Sequence, residues 1–407
     1  MLTGYRILDL TDEKGPLCSR ILGDLGADVV KVEPPGGNRS RRMGPFYHDE
    51  PHPNKSLYFW SYNTNKRGVT LNLATSDGRA LFKRLVAKAD AVIESFMPLQ
   101  LKAWGLGYHD LRAINPRLIM TSITPYGQSG PDAQYEDPDL VLMARGGLLY
   151  MSGETDGPPG RTRVPQSYNQ AGAQAAMMTS LALYHRDVHG RGQHIDLSMQ
   201  EAVANALISV QTHWDVLRVN ERRGTSQVRG KVIGRYSWPC KDGYINWCWW
   251  VAPGWGQKNY PLLEWMTELG MQGDLWDQPW EEKSTADLKQ AEVDHWEDVF
   301  GAFFKTQTKA EIYRQALKRR IMLFPTYEPS DVANYEQLRE RNYWHEVEHP
   351  ELGEKVTYPG AFVLTMANMW SLRRRPPLVG EHNREVFGDE LGLTTEQLVS
   401  LKSAGVV

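Results

Sequence analysis

Two histidines four residues apart, the first followed directly by a glutamate, have the spacing in this chain that speaks most directly of chemistry. His345-Glu-Val-Glu-His349 matches the H-E-x-x-H pattern, in which a helix puts both imidazoles on one face to share a zinc ion. That chemistry needs a helix, and Pro350 follows at once, biasing its predecessor away from helical backbone. The match is therefore read as coincidental, and no metal is expected. Glu33 closes a strand-like run where a dinucleotide fold would place its ribose-binding acid. The preceding turn, Leu10-Thr-Asp-Glu-Lys-Gly-Pro16, lacks the glycine triplet that admits a pyrophosphate, and Asp12 and Glu13 would repel one. Glu33 is read as a strand-end charge. There is no G-x-x-x-x-G-K-[ST] phosphate loop and no G-x-S-x-G elbow; Ser152 and Ser167 read as loop hydroxyls without an identifiable base. Cys18, Cys240 and Cys248 form neither a disulfide framework nor paired Cys-x-x-Cys spacing, and are read as reduced thiols.

Any such groups must be held by elements, and the hydrophobic pattern supplies them. Arg6-Ile-Leu-Asp-Leu10 reads as a strand, Pro16 to Leu25 as a helix and Ala27-Asp-Val-Val-Lys-Val-Glu33 as a second strand. This βαβ unit implies a parallel sheet. Gly68 to Leu73, Ala91 to Glu94 and Arg117 to Ser122 add strands, with a helix from Gly78 to Lys88. The alternation predicts an α/β fold with a Rossmann-like, parallel-sheet large domain. Further on, the pattern predicts a helix from Ala171 to His185, a strand from His194 to Ser198, a long helix from Gln200 to Val216 and a polar loop from Asn220 to Ser226. The expected division is 1–215 for the first part of the large domain, 216–328 for a smaller α+β domain, and 329–407 for a C-terminal part returning to the large domain. The smaller domain opens with a tryptophan-rich hairpin turning at Lys241-Asp-Gly243, and the tail closes with a capped helix starting at Thr394 or Thr395.

At 407 residues and 41% hydrophobic content the chain is too long for one ordinary core. A net charge of -3 gives no electrostatic reason to expect nucleic acid or an anionic membrane as partner. The basic run Arg373-Arg-Arg375, just before two prolines, reads as a solvated turn. No apolar stretch approaches the roughly 20 residues that span a bilayer, and the first residues do not resemble a signal peptide. A cytoplasmic location is expected. The 14 tryptophans are many, and Trp238, Trp247, Trp249, Trp250, Trp255 and Trp265 crowd one region, which suits a domain core.

A set of longer motifs runs through the chain: Ile7-Leu-Asp-Leu10, Leu25-Gly-Ala-Asp-Val-Val-Lys-Val-Glu33, Asn65-Lys-Arg67, Leu106-Gly-Tyr-His-Asp-Leu111, Asn115-Pro-Arg-Leu-Ile119, Ser122-Ile-Thr-Pro-Tyr-Gly-Gln-Ser-Gly-Pro131, Gly172-Ala-Gln-Ala-Ala176, Gly190-Arg-Gly-Gln-His-Ile-Asp-Leu-Ser-Met199 and Pro377-Leu-Val-Gly-Glu-His382, with a looser match at Gly153 to Pro159. Together they resemble the family III (CaiB/BaiF type) CoA-transferases over nearly the whole length. The resemblance implies interlocked dimers and a catalytic aspartate four residues before the glycine taken to open a helix. That aspartate attacks an acyl-CoA thioester to form a mixed anhydride, then carries CoA as an aspartyl thioester. A carboxylate is needed because it must attack an acyl carbon and itself become an acyl group.

In this chain that position is Tyr168, in Pro165-Gln-Ser-Tyr-Asn-Gln-Ala-Gly172. Neither a phenol nor the neighbouring Asn169 amide can perform the exchange. Of the positions that bind CoA in the resembled family, Arg41 matches and is read as vestigial, whereas Ala74, Ser95 and Ala103 replace a lysine, an asparagine and an arginine. The loop before Gly15-Pro16 is one residue short. The racemase branch of the same superfamily pairs the aspartate with a histidine just before the position of Asp139, and here that neighbour is Pro138. The resemblance therefore implies a non-catalytic subunit that binds no cofactor itself, in an interlocked heterodimer or higher oligomer with an aspartate-bearing homologue for which a CoA thioester is substrate. The heteromeric enzymes that move CoA from succinyl-CoA to (R)-benzylsuccinate in anaerobic aromatic breakdown are the members it resembles most. Two alternatives stand beside this reading: an active homodimeric transferase or racemase using another acid such as Glu13 or Asp139, and a stand-alone ligand-binding protein.

Overall fold

The computed structural model of the chain describes residues 1–153, 157–220, 226–229 and 232–407. The loop expected from Asn220 to Ser226 lies largely outside the described residues, as do positions 154–156 of the loose motif from Gly153 to Pro159. The chain forms two compact units: Met1–Leu148, Thr162–Ile208 and Gln337–Val407 make up the first, and Leu149–Arg161 with Ser209–Glu336 the second.

The first unit is built on β1 (Arg6–Leu10), β2 (Asp28–Glu33), β3 (Lys66–Thr70), β4 (Ala91–Glu94), β5 (Ile119–Thr124) and β6 (His194–Ser198). They form one sheet in the order β3-β2-β1-β4-β5-β6, every pair parallel, with Leu8 opposite both Val30 and Val92. This is the doubly wound nucleotide-fold order, whose topological switch point lies between β1 and β4. Successive side chains of a strand point to opposite faces, and the two cores divide accordingly. Leu8, Leu10, Val30, Val32, Val92 and Met120 join one cluster, while Ile7, Val29, Ala91, Ile93, Ile119 and Ile123 join the other.

The sheet is flanked by α1 (Pro16–Asp24), α2 (Leu57–Tyr62), α3 (Ser76–Val86), α4 (Gln100–Ala103), α5 (Tyr108–Ile114), α6 (Asp139–Arg145) and α7 (Gln166–His189). Leu81, Phe82 and Leu85 of α3 cover the first face, and Cys18 and Leu22 of α1 with Ala171, Ala175 and Ala176 of α7 cover the second. A Cβ on Gly172 would meet the Leu17 Cβ at 2.9 Å, so the Gly-Ala run of α7 is what lets it lie close on α1. That helix is longer than expected, running from Gln166 and not Ala171, because the residues before Gly172 find a capping partner described below. The predicted long helix from Gln200 is two pieces, α8 (Met199–Asn205) and α9 (Ile208–Leu217).

Buried charge organises this unit. Asp9 on β1 is fully buried and receives Lys31 at 3.1 Å, Lys66 at 2.9 Å and the hydroxyls of Thr11 and Ser19. Burial works against its ionisation, but the two ammonium groups and two hydroxyls outweigh it and hold the carboxyl well below the ordinary range. Burial also pulls Lys66 down to about 8. Two sequence readings are corrected here. Glu33 is no strand-end charge but a buried acid paired with Arg41 at 2.7 Å. Arg375 is not solvated: it pairs with Glu351 and Glu381, each at 2.8 Å, and Arg373 donates to Gly23 O at 2.8 Å. The C-terminal helix, Thr395–Ser403, starts after Thr394, whose Oγ1 accepts from Gln397 N.

The second unit holds a three-stranded antiparallel sheet of Phe324–Pro325, Gly243–Asn246 and Ser237–Cys240, beside the helices Tyr260–Glu268, Gln290–Phe304 and Lys309–Arg319. Its core is aromatic: Trp238, Trp249, Trp280 and Trp296 are buried with Phe300, Phe303 and Phe304. Trp255 departs from the core reading; it is half exposed and stacks on Trp250 at 5.0 Å. Among the described residues no helix is long and apolar enough to cross a membrane.

Candidate functional site

His345-Glu-Val-Glu-His349 lies on the strand Trp344–His349. In extended backbone four residues span roughly 13 Å, too far for two imidazoles to share one ion. His349 is instead buried, its ring between Glu351 at 3.1 Å and the Tyr358 hydroxyl at 2.9 Å.

Tyr168 sits in the first turn of α7, in the first unit, and is 9% exposed. A helix start leaves backbone donors without partners, and Pro165 at the cap position offers no side-chain acceptor. Asp139, the first residue of α6, fills that role: its Oδ1 accepts from Ser167 N at 2.9 Å and from Ser167 Oγ at 2.7 Å. The Tyr168 hydroxyl reciprocates by accepting from Asp139 N at 3.1 Å. The two helix starts thus cap one another. Ser167 is a buried helical residue, not a loop hydroxyl as expected.

Around this pair stand groups that no motif announced. Tyr62 on α2 donates to Asn169 Oδ1 at 3.0 Å, and Tyr58 donates to Glu13 O at 2.9 Å, the two rings 5.0 Å apart. Lys14 is buried and paired with Asp12 at 2.8 Å. Burial works to discharge it, but Asp12 and Glu13 prevail and raise it. Glu13 is 5% exposed; Arg39 approaches one carboxyl oxygen at 3.4 Å, while Oε2 has no hydrogen-bond partner among the described residues. Burial, then the charge of Asp12, pushes the Glu13 carboxyl up. Burial likewise pushes the Tyr168 phenol up, so it is neutral and acts here as a hydrogen-bond acceptor. Of this wall the sequence had singled out Glu13 and Asn169; Tyr58 and Tyr62, one helical turn apart on α2, were the signal for its aromatic part.

The four predicted CoA-contact positions do not converge in the same way. Arg41 is 1% exposed, held by both oxygens of Glu33, donating to Pro377 O at 2.9 Å and stacked 3.7 Å over the Phe59 ring. Its guanidinium is a core element with nothing presented to a phosphate. Ser95, just past β4, donates to Asp12 Oδ1 at 2.8 Å and accepts from Asp12 N at 2.9 Å, tying β4 to β1 across the switch point. Ala74 and Ala103 are exposed and offer no side-chain donor.

The chain is 33% identical to succinyl-CoA:(R)-benzylsuccinate CoA-transferase subunit BbsE of Thauera aromatica, covering 99% of this chain and 97% of the relative. It is 31% identical to the succinyl-CoA–L-malate CoA-transferase beta subunit of Chloroflexus aurantiacus, covering 100% of this chain and 98% of the relative. In structure it resembles a CaiB/BaiF family protein from Brucella suis with a TM-score of 0.83 and 27% identity, covering 95% of this chain and 98% of that one. With a match to the family profile from residue 2 to residue 383, the chain belongs to CoA-transferase family III.

Proposed function

We propose that this chain is the non-catalytic subunit of a heteromeric family III CoA-transferase, paired with an aspartate-bearing homologue that performs the transfer. The observation that carries this reading is the use of the nucleophile position as a helix-start brace, with Tyr168 neutral, 9% exposed and bonded to Asp139 N. The capture of Arg41 by Glu33 supports it, since the basic group assigned to CoA is spent on the core. Two of the similar proteins are named as subunits, which supports a heteromeric assembly, and BbsE supports succinyl-CoA as donor and an aryl-substituted succinate as acceptor. A partner is further supported by α7, where Met177, Leu181, Tyr184 and Val188 leave an apolar stripe 57–69% exposed on a helix of 24 residues. We place the complex in the cytoplasm, where its three free cysteines stay reduced.

A second reading has one observation in its favour. The Glu13 carboxyl is buried, raised and half unpartnered near Tyr168, as a recruited nucleophile would be. Co-expression with an aspartate-bearing homologue separates the two. On the first reading the pair purifies at equal stoichiometry, calorimetry finds one CoA site per heterodimer, and Glu13→Gln leaves turnover unchanged. Turnover by the pure chain, abolished by Glu13→Gln, would replace the first reading with the second.

A further inference from the structure

Along one face of the sheet, between Glu94 at the end of β4, Met120 and Ser122 within β5 and His194 at the start of β6, the first unit holds a cavity of about 370 Å³ that none of the chemistry above uses. Three strands each bring one polar group to its wall. Glu94 is 3% exposed, accepts from Phe96 N at 2.7 Å and is hydrogen-bonded by the Ser122 hydroxyl. Ser122 Oγ lies 2.9 Å from His194 Nε2, and the Tyr108 ring stacks on that imidazole at 5.4 Å and 16°. Glu94 and Ser95 are consecutive residues at a strand end, so their side chains leave on opposite faces. That separates this cavity from the Ser95–Asp12 tie.

The wall also holds an open valence. The Gln128 backbone N–H is bonded to both oxygens of Asp196, each at 3.0 Å, and its side-chain Nε2 is buried with no hydrogen-bond partner among the described residues. A buried amide donor of this kind is built for an acceptor. The apolar side of the cavity is Met97, Leu101 and Met120, and Lys102 stands among the lining residues.

We propose that this cavity binds a short organic carboxylate, its oxygens accepting from the Gln128 amide and the Glu94 carboxylic acid and its carbon body lying on Met97, Leu101 and Met120. Burial raises Glu94 to about 7 despite the bonds from Ser122 and Phe96 N, with Asp12 and Asp196 adding to the shift. A protonated carboxyl facing a carboxylate makes a short, charge-assisted bond. Burial keeps His194 below its ordinary value, against Asp196 and with His109, so it accepts or donates as a neutral ring. His109, Asp110 and Lys102 complete the ionisable groups lining the cavity. Because Glu94 donates only while it holds its proton, affinity falls as pH rises through about 7.

The test is a saturation-transfer NMR titration of the full-length chain with 3-phenylpropanoate, and with 3-phenylpropanamide as the uncharged control. The acid is expected to bind saturably, at least about tenfold tighter than the amide, and to weaken between about pH 6 and about pH 8. Gln128→Leu is expected to cost about tenfold in affinity, whereas Glu94→Gln, whose amide donates at every pH, keeps binding and flattens its pH dependence. Equal binding of acid and amide, no saturable binding of the acid, or a Gln128→Leu chain that binds as the parent does would overturn the proposal. The acid-against-amide comparison needs no variant, so it decides the matter even if Gln128→Leu misfolds.

Discussion

A tyrosine at position 168 changes what the first turn of α7 can do. The phenol accepts the Asp139 backbone N–H while the Asp139 carboxylate caps Ser167. The hydroxyl contributes one hydrogen bond, worth about 1 kcal/mol net. Tyr168→Phe should therefore lower urea stability by about that much and leave turnover of the assembled complex within about twofold of the parent. A hundredfold drop, about 2.7 kcal/mol of barrier, would assign this chain a role in the chemistry itself.

Among the elements, β1, β2 and β3 are bound together by charge as much as by their apolar faces. Asp9 accepts from Lys31 on the neighbouring β2 and from Lys66 on β3, one strand further out, and all three side chains are buried. Removing the charge by Asp9→Asn leaves two buried ammonium groups without a counterion, which should cost about 3–5 kcal/mol in urea unfolding. The folded value of Asp9 is depressed, so its stabilisation is present above the unfolded carboxylate range near pH ~4 and is lost as pH falls through the lower folded value. The parent chain should lose stability on acidification below about pH 4, and Asp9→Asn should show a flatter acid limb. An equally steep limb in the variant would place the acid sensitivity elsewhere.

For the whole molecule, the exposed stripe on α7 is the feature that a lone chain leaves unexplained. Monomers seldom keep several large apolar residues exposed along one helix face. Leu181→Glu puts a charge in the middle of that stripe, where the residue is 57% exposed and its own fold has little to lose. The variant should keep its thermal midpoint as an isolated chain and fail to co-purify with an aspartate-bearing homologue. If it assembles as the parent does, α7 is not the contact surface and the partner must dock elsewhere.

Sequence alone determined the parallel sheet, because short β-branched runs alternating with helical ones leave few other ways to bury both faces, and the Ile7-Leu8 and Val29-Val30 pairs do divide between two cores. It also determined the family, through motifs that are specific only in combination, and it isolated Tyr168. Tertiary structure decided what single-residue reading misjudged: Arg41 and Glu33 found one another across eight positions, Arg375 found Glu351 and Glu381, and Ser167 and Tyr168 became part of a helix rather than a loop. The Glu94, Ser122 and His194 cluster was invisible for the same reason, since it joins three strands with no common spacing. Periodicity is written along the chain and can be read there; a buried charge takes its partner from whatever the fold brings near, and that is settled only when the elements pack.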